Sequence, residues 1–338
     1  MAALVTMKDV AKRAGVSPST VCRALTANPK ISDETRRRVR EIAGSMGYRV
    51  DPLLSAFASR RRGNFAGSEV TTIAYITNFP SATEWQRNAY YRRCYEGAKK
   101  RAEEMGYRLE HFWLKEKGMT GERLSRVLYH RGIVAACVAP LPQVRGHLSL
   151  KWDQLCSATI GYTMLSPAIH RAASHHFHGM LMTVRELKRR GYTRIGLCLF
   201  DRTSKRVDDL WLAAFLSARQ YFPNLTMPVF LFDDKTITRI PQWCRENQLE
   251  VVVGGELVVL EQLSHARLYP EEIDYASVGL TDEVGMVAGI DQRPERIGAA
   301  VVNLLVSQVQ RGERGVPEAP TTLMVEGKWV DGPSLRRK

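Results

Sequence analysis

The stretch that decides the reading is Thr6-Met7-Lys8-Asp9-Val10-Ala11-Lys12-Arg13-Ala14-Gly15-Val16-Ser17-Pro18-Ser19-Thr20-Val21-Cys22-Arg23-Ala24-Leu25. Thr6 is a helix-capping residue with Asp9 at the third helical position, and Val10, Ala11 and Ala14 recur at helical spacing. Gly15 stops that helix. Ser17 then offers an N-cap oxygen, and Pro18 takes the first helical position, where its missing N–H costs nothing. Two helices joined by so short a turn make a helix-turn-helix. On the second helix Val21, Ala24 and Leu25 pack inward, which leaves Pro18, Ser19, Cys22, Arg23 and Thr26 on the face that would enter a major groove. Ser32 caps a third helix, with Asp33 and Glu34 in its first turn and Val39, Ile42, Ala43 and Met46 as its apolar stripe up to Gly47.

Charge points the same way. Residues 1–62 hold thirteen basic against five acidic side chains, an excess of eight within a chain of 338 residues whose net charge is +14. The rest is spread over a much longer segment, so the electrostatic footprint of a nucleic-acid binder lies at the N-terminus.

Thr6 to Ala11, then Ala14-Gly15-Val16-Ser17, Thr20-Val21-Cys22-Arg23, Asn28, Thr35-Arg36 and Gly47-Tyr48 resemble the headpiece of the lactose/galactose-repressor family of bacterial regulators. The resemblance implies that Pro18, Ser19 and Arg23 read base edges, Arg23 through guanine O6 and N7, and that Thr20 steadies the backbone contact. Thr6, Ser17 and Asn28 join the same DNA interface by that resemblance. Cys22 stands where the family usually has Ser and reads as a small residue near phosphate.

The family then carries a Pro-Asn pair and a hinge helix that wedges a leucine into the minor groove. This chain instead has Val50-Asp51-Pro52-Leu53-Leu54-Ser55-Ala56-Phe57. Asp51 can cap, Pro52 sits at the first helical position, and Leu54 and Phe57 are assigned to the DNA interface. Phe57, where the wedge is expected, either unstacks a base step or packs between the hinge helices of a dimer. Arg60-Arg61-Arg62-Gly63-Asn64-Phe65-Ala66-Gly67-Ser68 reads as a basic linker.

From Thr71 the period changes. Short apolar strands at 71–77, 107–113, 133–139, 158–161, 194–200, 229–232, 251–254 and 275–279 alternate with helical patterns around 180–190, 207–221, 240–248 and 294–311, as parallel sheets with crossover helices require. Val278-Gly279-Leu280-Thr281-Asp282, Ala288-Gly289-Ile290-Asp291-Gln292, Pro294, Ile297-Gly298 and Val325-Glu326-Gly327-Lys328-Trp329 extend the family resemblance to the C-terminus. It implies an all-α helix-turn-helix headpiece (residues 1–50), a hinge and linker (51–70) and a two-lobed α/β sensor like a periplasmic binding protein. One lobe is 71–164 with 291–320, and the other is 165–290 with 321–338.

Ligands in open α/β sheets bind beyond the carboxyl ends of strands. That rule nominates Asn78 and Phe79 after the first strand, Pro140 to Gln143 after the third, Arg206 and Trp211 after 194–200, and Asp282 after 275–279, and Gln292 sits at a crossing. Asp282, Arg206 and Gln292 lie near positions that contact ligand in relatives. A frequent Asn-Asp pair of the family is replaced by Gly254-Gly255-Glu256.

Other chemistries find no support. No GxGxxG or P-loop follows a strand, and no GxSxG, HExxH or nucleophile with a paired base is present. The six cysteines lack CxxC spacing and read as buried thiols. His175-His176-Phe177-His178 lacks the i,i+4 spacing that aims two nitrogens at one ion, so neither metal nor cofactor is expected. Without a membrane-length apolar run or a secretory start, the expected setting is the cytoplasm, and the expected partners are operator DNA, a small-molecule effector such as a sugar, and a second copy of the chain.

Overall fold

A computed structural model describes residues 5–25, 31–46, 48, 71–280 and 285–336. The chain divides into two compact units, 1–68 and 69–338.

The first unit contains α1 (Met7–Ala14), α2 (Pro18–Leu25) and α3 (Asp33–Ser45). Thr6 and Asp9 form the reciprocal capping box: the Thr6 N–H donates to Asp9 Oδ2 at 2.8 Å and the Asp9 N–H to Thr6 Oγ1 at 3.4 Å. Gly15 caps α1 with φ of 66°, a left-handed conformation that costs glycine little. Ser17 Oγ accepts the Thr20 N–H at 3.1 Å and so starts α2. Val10, Ala11, Ala14, Val21, Ala24, Val39 and Ala43 form the shared core, with Leu25, Ile42, Met46 and Tyr48 packed around it.

The second unit has two six-stranded sheets. Its first lobe is wholly parallel, in the order β13-β7-β5-β3-β1-β2, with β1 Thr71–Thr77, β2 Tyr107–Trp113, β3 Ala135–Val138, β5 Cys156–Ile160, β7 His170–Ser174 and β13 Thr322–Val325. Short strands β4 (Gly146–His147) and β6 (Met164–Ser166) pair beside it. Helices α4 (Ala89–Glu104) and α11 (Pro294–Arg311) cover one face, and α5 (Gly121–His130) covers the other. The first two are tightly apposed: a Cβ at Gly298 would lie 1.9 Å from the Cys94 carbonyl oxygen, so only glycine permits this approach.

The second lobe runs β14-β12-β11-β10-β8-β9, with β8 Ile195–Phe200, β9 Val229–Phe232, β10 Val251–Gly254, β11 Asp274–Leu280 and β12 Ala288–Asp291. Strand β14 (Lys328–Val330) pairs antiparallel with β12. Helices α6 (His176–Arg189) and α8 (Leu210–Tyr221) back one face, and α9 (Ile240–Glu246) and α10 (Leu257–His265) the other. A short helix, α7 (Asp201–Arg206), follows β8.

Two lobe boundaries differ from the sequence-based ones. Strand β7 pairs with β5 and β13, so the chain leaves the first lobe after Ser174 and not at 164, and β13 keeps 322–325 there, so the last crossing follows Val325 and not 320. The segment His170-Arg171-Ala172-Ala173-Ser174 has no β-branched run, and its strand identity comes from its neighbours. The middle crossing, between Asp291 and Pro294, lies at the edge of the expected span. Among the described residues no helix is long and apolar enough to cross a membrane.

Candidate functional site

In the first unit, Thr6, Ser17, Pro18, Ser19 and Arg23 are exposed and Thr20 is half-buried. Ser17 Oγ lies 2.7 Å from Ser19 Oγ and 2.9 Å from Thr20 Oγ1, a hydroxyl cluster at the N-terminus of α2. Such a cluster, with the partial positive charge of a helix start and Arg23 further along the same helix, suits a nucleic-acid backbone and base edges. Asn28, Leu54 and Phe57 lie outside the described residues.

In the second unit a cavity of about 240 Å³ lies where the carboxyl ends of the two sheets face one another. The first lobe contributes Asn88, Tyr90 and Tyr91 at the start of α4, Pro140 beyond β3, and Gly161, Tyr162 and Thr163 beyond β5. The second lobe contributes His176, Thr203, Arg206, Val207, Trp211, Gly255, Glu256 and Gly279, and Gln292 comes from the middle crossing. Among the nominated residues, Pro140, Arg206, Trp211 and Gln292 therefore line one cavity. Asn78 and Phe79 do not. Phe79 is buried one layer behind, its ring 5.7 Å from Tyr91 and its carbonyl accepting the Trp113 indole N–H at 2.9 Å. Asp282 lies outside the described residues.

Arg206 spans the cleft. From α7 in the second lobe its Nη1 donates to the Pro142 carbonyl at 2.8 Å, and its Nη2 to the Leu141 carbonyl at 2.9 Å and the Tyr91 hydroxyl at 2.6 Å, all in the first lobe. Gln292 is buried and donates from Nε2 to the Val278 carbonyl at 3.0 Å. Trp211 is 5% exposed, belongs to the second lobe's core and meets the His176 ring edge-on at 5.0 Å.

The wall also holds polar atoms that nothing else satisfies. Tyr162 Oη, His176 Nδ1 and both Glu256 carboxylate oxygens are buried without a hydrogen-bond partner among the described residues. Burial, with His175 beside it, pushes His176 down to about 3, so its imidazole is neutral at physiological pH. Burial also pushes the Tyr162 hydroxyl up, against the pull of Arg171, whose guanidinium lies 5.3 Å from the Tyr162 ring centre. Uncompensated groups of this kind are costly unless something polar enters the cavity.

The three crossings are pinned. Arg93 from α4 binds Glu295 at 2.5 Å and Asp291 at 3.6 Å across the middle crossing. The His175 N–H donates to the Val325 carbonyl at 2.9 Å, which ties the first crossing to the third, and His178 Nδ1 meets Glu326 at 2.5 Å. His175 Nδ1 accepts the His178 N–H at 3.2 Å and caps α6. The three histidines thus do three different jobs, and among the described residues no group of three or more His, Cys, Asp or Glu side chains is placed to hold a metal.

Sequence reasoning missed Tyr90, Tyr91, Tyr162, His176, Thr203 and Glu256. The strand-end rule could have found Tyr90 and Tyr91, because Asn88 accepts the Tyr91 N–H at 3.2 Å and so starts α4 at the carboxyl end of β1. Glu256 follows the Gly254-Gly255 pair, itself a visible departure from the family pattern.

Comparison with known proteins separates the two units. Residues 6–51 match the family model described as "Bacterial regulatory proteins, lacI family". The transcriptional regulator MalR of Streptococcus pneumoniae is 57% identical over 44 residues, which is 13% of this chain and 13% of MalR, so the match spans only a small part of that relative. Over nearly the whole length, the lac repressor dimer bound to operator and the anti-inducer ONPF superposes with a TM-score of 0.56, at 15% identity over 97% of this chain and 98% of that one. The CelR–cellobiose complex does so with a TM-score of 0.55, at 16% identity over 97% of this chain and 98% of that one. At such identities these likenesses establish the fold.

Proposed function

Because the chain carries the helix-turn-helix domain of the lacI family of bacterial regulatory proteins and the two-lobed fold of the lac repressor, we propose that it is a sequence-specific DNA-binding transcriptional regulator, a repressor whose operator affinity is set by a small molecule bound between its lobes. It acts on double-stranded operator DNA as a homodimer in the cytoplasm and catalyses no reaction. The observation that carries this reading is the exposed row Pro18, Ser19 and Arg23, with Ser17 just before it, on a helix whose opposite side, Val21 and Ala24, is fully buried in the headpiece core. A helix so divided presents its polar face to a groove.

The effector half of the proposal rests on the cleft. Its aromatic walls and unsatisfied buried polar atoms suit a small, hydroxyl-rich molecule, and a sugar is the class we assign, in keeping with the cellobiose held by CelR. Pro140, Arg206, Trp211 and Gln292 are assigned to that site, as is Asp282. Thr6, Ser17, Pro18, Ser19, Thr20 and Arg23 are assigned to DNA, with Asn28, Leu54 and Phe57. The test is selection of binding sites from a random DNA library by the intact protein, followed by release of the selected duplex under a sugar panel. Enrichment of a pseudo-palindrome and its release by one sugar is the expected result. Equal binding to all sequences would refute the regulator reading.

A further inference from the structure

Glu256 is a half-buried residue on the cleft wall whose carboxylate oxygens are buried, and its interpretation rests on the cleft being an effector site. It stands at the N-cap of α10, yet its side chain makes no capping bond. Burial raises its pKa, and this outweighs the Thr203 side chain and the Phe200 backbone as hydrogen-bonding neighbours and the nearby Arg202 charge, each of which draws it down. These contacts fall short of hydrogen-bond geometry, and by that measure neither carboxylate oxygen is satisfied among the described residues. A carboxylate kept out of water, short of full hydrogen-bond partners and idle as a cap, is a burden on the fold that a ligand donor would relieve.

Among the described residues of the cavity wall the other charge is Arg206, and its Nη donors are committed to the Pro142 and Leu141 carbonyls and the Tyr91 hydroxyl. An anionic ligand would thus face a desolvated carboxylate with the cleft's guanidinium already engaged. A cationic one would face that guanidinium. A neutral ligand with a hydroxyl or N–H satisfies Glu256 without adding charge to a wall whose described residues carry one of each sign.

We infer that Glu256 is the specificity-determining residue of the cleft: its carboxylate accepts a hydrogen bond from an uncharged ligand and, with Arg206 committed to the first lobe, shuts out anionic ligands such as sugar acids and sugar phosphates. Tyr162 Oη and His176 Nδ1, the other unsatisfied atoms of the wall, take further hydroxyls of the same ligand.

The test uses the intact protein and matched probes: glucose, glucuronate and glucose 6-phosphate, the corresponding galactose and ribose sets, and cellobiose with cellobionate, each measured by thermal shift and titration calorimetry. The expected result is binding confined to neutral members. In Glu256→Gln, which still offers an acceptor oxygen, the preference for the neutral over the anionic partner should fall at least tenfold. Wild type binding an acid or phosphate as tightly as its neutral partner would overturn the proposal. Binding of no probe at all would instead overturn the sugar-effector reading on which it rests, a different result. A second readout needs no ligand: Glu256→Gln should melt at a higher temperature than wild type, because a desolvated carboxylate is gone. A lower melting temperature would give Glu256 a structural role and refute the inference.

Discussion

The Arg206 guanidinium, carried on the second lobe, donates to the backbone carbonyl of Pro142 in the first lobe at 2.8 Å. Together with its bonds to Leu141 and Tyr91, this makes one side chain a latch across the cleft. Hydrogen bonds from a charged donor are worth roughly 1.5–3 kcal/mol each where removal leaves an unsatisfied partner. Arg206→Ala should therefore loosen the lobes. Small-angle scattering of residues 69–338 should show a larger radius of gyration than wild type, with the melting temperature lowered. An unchanged radius would mean that the crossings alone set the lobe angle.

Glu256 gives a pH dependence whose sign is fixed. Its pKa is raised in the folded chain above the ordinary 4.5, so the folded state favours the protonated acid. Relative to Glu256→Gln, wild type should hold its stability below the ordinary carboxylate range and lose it as pH rises through the raised folded value. Urea melts of both proteins between acid and neutral pH check this. A difference that instead grows toward acid pH would mean that the carboxylate is stabilised in the fold.

The close approach of α4 and α11 depends on Gly298, where an added Cβ would meet the Cys94 carbonyl at 1.9 Å. Because that obstacle is backbone, Gly298→Ala must part the two helices, at a cost of about 1–3 kcal/mol for overpacking. Chemical denaturation of residues 69–338 measures it, and a neutral result would show that the helix pair can slide.

The headpiece is the part of the molecule most legible in the amino-acid sequence, because each boundary has local chemistry: Thr6 with Asp9, Gly15, and Ser17 before Pro18. The parallel sheets are readable as alternation, and the strand-end rule brings Pro140, Arg206, Trp211 and Gln292 to one cavity. What escapes sequence reasoning is decided by partners distant along the chain. Strand β7 carries no strand-like composition and is held by β5 and β13. Tyr162 and His176 sit on either side of the first crossing, and only the paired sheets show that their rings stand 5.9 Å apart beside the cavity. Glu256 reads in sequence as a lost motif, and the desolvation of its carboxylate is visible only in three dimensions.

If the headpiece supplies the phosphate contacts, its removal should abolish DNA binding while residues 69–338, a compact unit, stay folded. Intact-protein affinity should fall with salt, with a log–log slope near about −0.9 for each phosphate neutralised. Titration of one selected duplex at several salt concentrations reads the slope, and a flat line would remove the electrostatic part of the account.

The most direct test of the central claim, that α2 reads DNA sequence, is operator selection by wild type and by Arg23→Ala from the same random library. Wild type should enrich a pseudo-palindrome. The variant should enrich the same site with one position relaxed in each half, at a cost of about 1–3 kcal/mol in affinity. An identical consensus and affinity from the variant, or no consensus from wild type, would contradict it.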